Sequence, residues 1–232
     1  MKKILISGSS KGLGFNLAQI FREKSWTVYT MGNSTNTKVD IRVDLTDELA
    51  TKRELESFFL DTQIDVLVCN AGTGKLPMQY ADDEELSRYF LEKNFATANN
   101  LINSMVPFMK YEGSVIAISS IVALKVIAGA PKAYSEAKKQ LNEYIRNLAK
   151  IKHEKSLRFN LISPGNIIFP GSRWEEIVLK DHDFVKNLLE NEVPLGRFIN
   201  PKEIASAIDY LSSFEARNIT GTNLVIDGGQ SL

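Results

Sequence analysis

Short apolar runs rich in β-branched residues alternate with longer helical segments along almost the whole 232-residue chain. Such strands, separated by helices, are typical of a parallel sheet that is covered on both faces. The sequence therefore predicts an α/β fold with a doubly wound parallel sheet of about seven strands and helices on both faces. The predicted strands are 3–7, 27–31, 40–44, 65–70, 114–119, 158–163 and 223–226. The predicted helices are 12–24, 48–59, 83–109 with a break, 134–153 and 201–212.

The length of the chain fits one domain, 1–232, because 232 residues with 44% hydrophobic content suffice for one sizeable core. No repeat or flexible linker divides it. The stretch 166–195 fits the alternation least, since it carries Pro170, Gly171 and a polar helical pattern. It is predicted either as a substrate lid at the carboxyl edge of the sheet or as a solvated surface insertion.

The charge balance argues against large anionic partners. Twenty-eight basic and twenty-eight acidic residues leave no net field that would attract nucleic acid or a membrane surface. We therefore expect small molecules, or copies of the chain itself, as partners. The single Cys69 excludes an internal disulfide and a cysteine-cluster metal site, and no metal is expected. No apolar run has the length of a signal peptide core or a membrane span, and we expect a cytoplasmic protein.

A glycine-rich turn follows the first predicted strand and opens the first helix. Glycines permit a tight turn and a close backbone approach, and the first free amides of the helix then face a diphosphate. The spacing is Gly-x-x-x-Gly-x-Gly, and many helices begin after such a turn without binding a ligand. The candidate cofactor residues of this turn are Gly8, Ser10, Lys11, Gly12, Leu13 and Gly14.

The end of the second predicted strand indicates which dinucleotide is bound. NAD is usually gripped there by a carboxylate that accepts the ribose hydroxyls. Residues 30–34 contain no Asp or Glu, and Lys11 offers a positive charge close by. NADP(H) is therefore favoured over NAD(H), although Lys11 could equally be a solvated surface lysine.

Tyr134 and Lys138 lie four residues apart in a predicted helix, which stacks both side chains on one face. A tyrosine is protonated at neutral pH, and a neighbouring ammonium group favours its phenolate. The pair could thus form an acid or base. The same spacing also arises by chance, with the aromatic ring in the core and the lysine in water.

Several motifs in one order give the chain a resemblance to the short-chain dehydrogenase/reductase family, with the Rossmann fold of that family. It is most similar to the branch of 3-oxoacyl-acyl-carrier-protein reductases, from Lys3 to Gly229. The motifs are the glycine turn, Cys69-Asn70-Ala71-Gly72, Asn94, Ser119-Ser120, Tyr134-x-x-x-Lys138, Pro164-Gly165 and Asp227-Gly228-Gly229.

The resemblance implies four catalytic residues. Tyr134 would be the general acid or base on the substrate oxygen, and Lys138 would bind the nicotinamide ribose and, with the oxidised ring, lower the pKa of the phenol. Ser120, rather than Ser119, would hydrogen-bond the carbonyl oxygen. The separation of Ser120 and Tyr134 is 134 − 120 = 14 residues, one longer than is usual in the family, which predicts a loop adjustment. Asn94 would hold a backbone kink and a water of the proton relay.

The resemblance also implies further cofactor contacts. Asp44-Leu45 would meet the adenine, and Asn70-Ala71-Gly72 would lie beside the adenosine ribose. Pro164-Gly165 would form the wall behind the nicotinamide, where Ile167 donates its backbone amide to the carboxamide. Phe169 stands where the family often has a threonine, so one contact is altered.

Together these features predict an NADP-preferring oxidoreductase that transfers a hydride between nicotinamide and a carbonyl or secondary alcohol. One alternative is a sugar or small polar alcohol dehydrogenase of the same family that uses NAD. Another is a nicotinamide-binding sensor without turnover. The family commonly forms two-fold assemblies, and the expectation is a homotetramer or a homodimer.

Overall fold

The computed structural model describes all residues from Met1 to Leu232. Seven parallel strands form one sheet in the order β3-β2-β1-β4-β5-β6-β7. This arrangement confirms the predicted doubly wound sheet. The strands are β1 Lys3–Ser7, β2 Thr27–Gly32, β3 Ile41–Arg42, β4 Ile64–Cys69, β5 Met109–Ile118, β6 Arg158–Pro164 and β7 Asn223–Ile226.

Eight α-helices cover the two faces of the sheet. Apolar side chains of α1 and α8 pack on one face, and those of α2, α4 and α5 pack on the other. None of the eight has the combination of length and apolar content that a membrane-crossing helix needs. The helices are α1 Gly12–Glu23, α2 Glu48–Phe58, α3 Asp83–Leu91, α4 Thr97–Met105, α5 Lys132–Lys150, α6 Arg173–Lys180, α7 His182–Asn191 and α8 Pro201–Leu211.

The strands are apolar at successive positions because both faces of the sheet are buried. In β1, Ile4 and Ile6 belong to the core beneath α1 and α8, whereas Leu5 belongs to the core beneath α2, α4 and α5. Side chains alternate between the faces of a strand, so a run without polar residues can be stable only between two layers. Each fully buried Ile or Leu contributes roughly 1.5–3 kcal/mol.

The strand order reverses between β1 and β4, and a cleft opens at their carboxyl ends. The segments that follow the two strands diverge there, as expected at a topological switch point. Ser7 at the end of β1 joins them, because its Oγ accepts hydrogen bonds from the backbone amides of Asn70 at 3.0 Å and Ala71 at 3.1 Å. The glycine turn and the segment after β4 are therefore fixed to each other.

The predicted helix 83–109 differs from the observed structure in one informative way. Its break is a π-helical turn, Glu92–Ala96, between α3 and α4. The side-chain amide of Asn94 donates to the Phe90 carbonyl at 3.0 Å, the carbonyl that a regular α-helix would pair with the Asn94 backbone amide. Strand β5 then begins at Met109, five residues before the predicted 114, after a 3₁₀ turn at Val106–Phe108.

The stretch 166–195 contains two short helices, α6 and α7, rather than an irregular loop. Val185 and Leu188 on α7 are buried, and the ring of Trp174 on α6 packs against Phe198 with centroids 5.2 Å apart. Arg173 in the first turn of α6 lies beside residues that follow β4 and β5. The stretch is thus packed at the carboxyl edge, and its role as a substrate lid stays a prediction.

Candidate active site and cofactor cleft

A cleft of about 560 Å³ lies at the switch point between β1 and β4. It receives residues from the glycine turn, the end of β2, the segment after β3 and the segment after β4. The predicted cofactor residues that line it are Gly8, Ser10, Lys11, Gly12, Leu13, Asp44, Leu45, Asn70, Ala71 and Gly72.

The amino end of α1 faces this cleft without a side-chain cap. Lys11, the N-cap residue, is extended and makes no capping hydrogen bond, and the first turn carries no acidic residue. Gly12 has φ +66°, which favours glycine, and a Cβ on Gly14 would come within 2.6 Å of the Asn70 side-chain nitrogen. The uncapped amides and their positive dipole end fit a diphosphate.

Ser10 gives a further indication that a polar ligand belongs in the cleft. Its hydroxyl is buried and has no hydrogen-bond partner within the protein. The same oxygen lies against Gly32, where any side chain would collide with it. A buried hydroxyl without a partner is costly, and a phosphate oxygen would satisfy it.

Asp44 lines the same cleft as the glycine turn. One carboxylate oxygen accepts from the backbone and hydroxyl of Thr46 at 3.0 and 2.7 Å, and the other accepts from the Asn33 amide at 3.0 Å. Burial raises the pKa of Asp44, but the Thr46 hydrogen bonds and the positive charge of Lys93 outweigh it, and the net shift is downward. The ionised carboxylate can accept from an adenine amino group.

The residues predicted beside the nicotinamide do not line the 560 Å³ cleft. After Pro164-Gly165, the backbone pairs with Ile199 through the Asn166 carbonyl and the Ile168 amide, both at 2.9 Å. The amide and carbonyl of Ile167 between them make no backbone hydrogen bond. Both are therefore available to a carboxamide.

Tyr134 lies in the first turn of α5, half-buried beside Ser120. Its ring packs against Phe90, with centroids 5.6 Å apart, and a Cβ on Gly74 would be 3.3 Å from it. The loop between Ser120 and Tyr134 contains a turn with Gly129 at φ +74°. Despite the longer spacing, Ser120 lies close enough to Tyr134 to lower the pKa of the phenol.

Lys138 lies one helical turn beyond Tyr134 and is only 4% exposed. Its Nζ donates to the Ile118 carbonyl at 2.9 Å, at the carboxyl end of β5. Burial lowers the pKa of Lys138 from 10.5 to about 8. The ammonium group is thus poorly solvated and can gain from a further polar partner.

Burial dominates the pKa of the Tyr134 phenol. It raises this pKa, and the neighbouring Ser120 hydroxyl offsets only part of the increase. That Lys138 and the oxidised nicotinamide ring together lower the pKa stays a prediction. Tyr134 is a protonated phenol at neutral pH.

The two consecutive serines have separate contacts. Ser119 is buried, and its hydroxyl donates to the Asn142 side chain on α5 at 2.6 Å. Ser120 accepts from the Val122 amide at 3.4 Å and lies close enough to Tyr134 to lower its pKa. Only Ser120 is therefore in contact with the candidate acid.

Asn94 is 1% exposed and holds two backbone segments together. Its Oδ1 accepts from the Thr73 amide at 3.0 Å, and its Nδ2 donates to the carbonyls of Thr73 and Phe90, each at 3.0 Å. Segment 70–74 lines the cofactor cleft and reaches the Tyr134 ring at Gly74. Asn94 thus fixes the segment that connects the two parts of the site.

Some residues of the site were not among the candidates from sequence. Lys93 and Thr97 line the cleft, and Thr73 both lines it and pairs with Asn94. The only signal for Lys93 and Thr97 in the sequence was the predicted break in the helix 83–109, since a break marks a place where side chains change direction. Gly32, Asn33, Ser34 and Val43 also line the cleft.

The family model described as enoyl-(acyl carrier protein) reductase matches residues 8–231, almost the whole chain. The chain belongs to the short-chain dehydrogenase/reductase family. This result confirms the resemblance drawn from the motifs. As a member of this family, the protein is an NAD(P)-dependent oxidoreductase.

Individual proteins agree with this assignment. The 3-oxoacyl-[acyl-carrier-protein] reductase FabG of Chlamydia trachomatis is 30% identical over 255 residues, which cover 99% of this chain and 97% of that protein. The ligand-free aldohexose dehydrogenase of Thermoplasma acidophilum is 27% identical, with a TM-score of 0.86 and coverage of 99% and 94%. RhlG of Pseudomonas aeruginosa, solved with NADP, shares the fold with a TM-score of 0.87, 23% identity and coverage of 100% and 96%.

Proposed function

We propose that this enzyme reduces a carbonyl group to a secondary alcohol with NADPH, and that Tyr134 supplies the proton. The observation that carries the proposal is the placement of Ser120 beside Tyr134, where it favours the phenolate, with Lys138 one turn away on α5. Segment 70–74 connects this pair to the cofactor cleft. A proton donor, an orienting hydroxyl and a cation are therefore assembled beside the cleft.

The chemistry divides between cofactor and protein. The bound dinucleotide supplies the hydride that the carbonyl carbon receives. As negative charge develops on the carbonyl oxygen, Ser120 donates a hydrogen bond to it and the Tyr134 O–H bond breaks to protonate it. The phenolate that remains is stabilised by the ammonium of Lys138. In alcohol oxidation the same phenolate accepts the hydroxyl proton.

Tyr134 keeps its proton at neutral pH, so it can supply that proton in carbonyl reduction. Lys138 would hold the ribose hydroxyls next to the nicotinamide, and Ile167 would orient the carboxamide through its backbone. Asn94 keeps segment 70–74 in place.

The preference for NADPH rests on charge at the ribose end of the cleft. At the end of β2, where a carboxylate would repel the 2′-phosphate, the cleft is lined by the uncharged Asn33 and Ser34. Lys11 lines the same cleft. The test is a titration with NADPH and NADH that follows the fluorescence of Trp26 and Trp174. Tighter binding of NADPH, lost selectively in Lys11→Met, is expected. Tighter binding of NADH by the wild type would overturn the preference.

A sugar or small polar alcohol is the second candidate substrate class, and one observation favours it. A cavity of about 270 Å³ includes Gly74, which contacts the Tyr134 ring, and is lined by charged side chains of Lys75, Arg173 and Glu176. Such a lining suits a polar substrate better than an acyl chain. Similarity to aldohexose dehydrogenase supports this class, and similarity to FabG supports an acyl thioester.

A substrate panel separates these classes and also the sensor alternative. Acetoacetyl thioesters and simple ketones should be tested with NADPH, and hexoses with both oxidised cofactors. Turnover that disappears in Tyr134→Phe, with cofactor binding intact, is the expected result. Full activity of Tyr134→Phe would overturn the mechanism. Cofactor binding without turnover on any compound would favour a sensor.

The proposal includes a homotetramer, with a homodimer as the smaller assembly, located in the cytoplasm. The assembly is proposed because the family resemblance implies two-fold pairing through the helix that carries Tyr134 and the helix predicted at 83–109. Sedimentation tests the assembly, and cell fractionation tests the location.

A further inference from the structure

Lys93 is a positive group of the cofactor cleft that the roles above leave unused. Its side chain lines the cleft and is half-buried. The seven ion pairs of the protein do not include it, and its ammonium group donates no hydrogen bond to another residue. An unpaired cation in a partly dehydrated cleft has free capacity for a ligand.

Lys93 faces the same side of its helical stretch as a second cleft residue, Thr97. Thr97, four residues later, lines the same cleft, and its hydroxyl donates to the Lys93 carbonyl at 3.1 Å. Asn94, the next residue, points away from the cleft to Thr73 and Phe90. Lys93 and Thr97 therefore form one ligand-facing stripe, and Asn94 belongs to the other side of the turn.

The ammonium group of Lys93 interacts electrostatically with the Asp44 carboxylate in the same cleft. Its charge contributes to the lowered pKa of Asp44, although the Asp44 carboxylate takes its hydrogen bonds from Thr46 and Asn33. Adenine offers two kinds of group to such a pair. Its amino group is a donor for the carboxylate, and its ring nitrogens and π face attract a cation.

We propose that Lys93 is a cofactor-binding residue whose ammonium group contacts the adenine ring, opposite Asp44. This inference rests on the proposed dinucleotide function of the cleft. It differs from the role of Lys11, which lies in the glycine turn and is assigned to the 2′-phosphate. Because adenine is common to both cofactors, Lys93 strengthens NADH and NADPH binding to the same extent and does not select between them.

The test measures binding of NADPH, NADH and ADP-ribose by calorimetry to four proteins: the wild type, Lys93→Met, Lys93→Arg and Lys11→Met. Lys93→Met should weaken all three ligands by a similar factor of about 5- to 30-fold. Lys93→Arg should restore most of the affinity. Lys11→Met should weaken NADPH alone. Lys139→Met on exposed α5 surface is the matched control and should bind like the wild type.

Each other outcome overturns the inference in a recognisable way. Loss confined to NADPH in Lys93→Met would assign the lysine to the 2′-phosphate. Unchanged affinity for all three ligands would identify a solvated side chain. Unchanged affinity with a lowered kcat at saturating cofactor would identify a positioning residue for Asn94. If the wild type bound none of the ligands, the proposed function itself would fall, and Lys93 with it.

Discussion

At the scale of single residues, the site depends on how neighbouring groups of the same chemical type are given different partners. Ser119 and Ser120 are adjacent, yet the first hydroxyl is committed to Asn142 on α5 and the second to Tyr134. Lys138 and Lys139 are also adjacent, yet one is buried against a backbone carbonyl and the other pairs with Glu136 at the surface. Residue type alone therefore assigns neither role.

The serines give a direct prediction. Ser120→Ala should reduce kcat by about 100-fold or more, because the developing oxyanion loses a hydrogen-bond donor. Ser119→Ala should leave kcat near the wild-type value but destabilise the protein by about 1–3 kcal/mol, because the Asn142 side chain loses its buried partner. Steady-state kinetics and urea unfolding of both variants measure the two effects. The reverse pattern would mean that Ser119 is the substrate-binding hydroxyl.

Lys138 predicts a conflict between stability and activity. Its pKa falls from 10.5 to about 8 on folding, so the native state binds fewer protons between these values and stability rises with pH across that window. Below pH 8 Lys138 is charged in the native state, and the burial of its ammonium group destabilises the fold by the full amount. At pH 7 the free energy of unfolding of Lys138→Met should therefore be roughly 1–3 kcal/mol higher than that of the wild type, after allowing for the lost hydrogen bond. Turnover should be abolished.

The stability gain of Lys138→Met should shrink as the pH rises from 8 towards 10. Denaturant unfolding at several pH values measures this trend, and Lys139→Met is the control for a lysine without burial. A pH-independent difference between Lys138→Met and the wild type would contradict the linkage.

At the scale of elements, the π-helical turn Glu92–Ala96 serves two parts of the site at once. It directs Asn94 into the protein, towards segment 70–74, and leaves Lys93 facing the cleft. The two neighbouring side chains thus serve different segments of the site. Turns of this kind are frequently found at functional sites.

Asn94→Ala should therefore affect more than one property. The loss of three buried hydrogen bonds should lower the free energy of unfolding by about 2–3 kcal/mol. Amide exchange should accelerate in segment 70–74, and kcat should fall because this segment touches Tyr134. Asn187→Ala, on the exposed surface of α7, is the control and should stay within about 0.5 kcal/mol of the wild type. Equal exchange rates in the two variants would argue against a role for Asn94 in fixing the segment.

At the scale of the whole molecule, one edge of the sheet remains open. β7 is the outermost strand and exposes Val225, and the surface of α8 and the following turn exposes Tyr210 and Phe214. Open strand edges and exposed apolar groups are usually covered, commonly by a second copy of the chain. This surface is a candidate for one two-fold interface of the proposed tetramer.

The wild type should sediment at four times the 26.0 kDa protomer mass. The double variant Val225→Glu, Phe214→Glu should have only twice the protomer mass, because burying two carboxylates in an apolar contact is unfavourable. Sedimentation equilibrium measures both masses, and Leu49→Glu, at an exposed position on α2, is the control. A wild-type monomer would contradict the assembly, and an unchanged mass of the double variant would locate the interface elsewhere.

The sequence by itself determined the sheet, most element positions and the candidate residues of the site. These depend on local information: apolar runs such as Ile4–Ile6, the glycine turn, and the spacing of Tyr134 and Lys138 on one helix. It also indicated that the helix 83–109 is interrupted, but not how. Hydrophobic period and turn chemistry act over a few residues, so they can be read without knowing the fold.

Only the tertiary structure decided which of these residues meet and how their chemistry is altered. Lys93 faces the cleft, whereas Ser119 is withdrawn from the site by its hydrogen bond with Asn142 on α5. The pKa of Tyr134 rises because folding buries the phenol. Desolvation and side-chain pairing arise from segments far apart in the chain, and their strength is set only when folding brings those segments together.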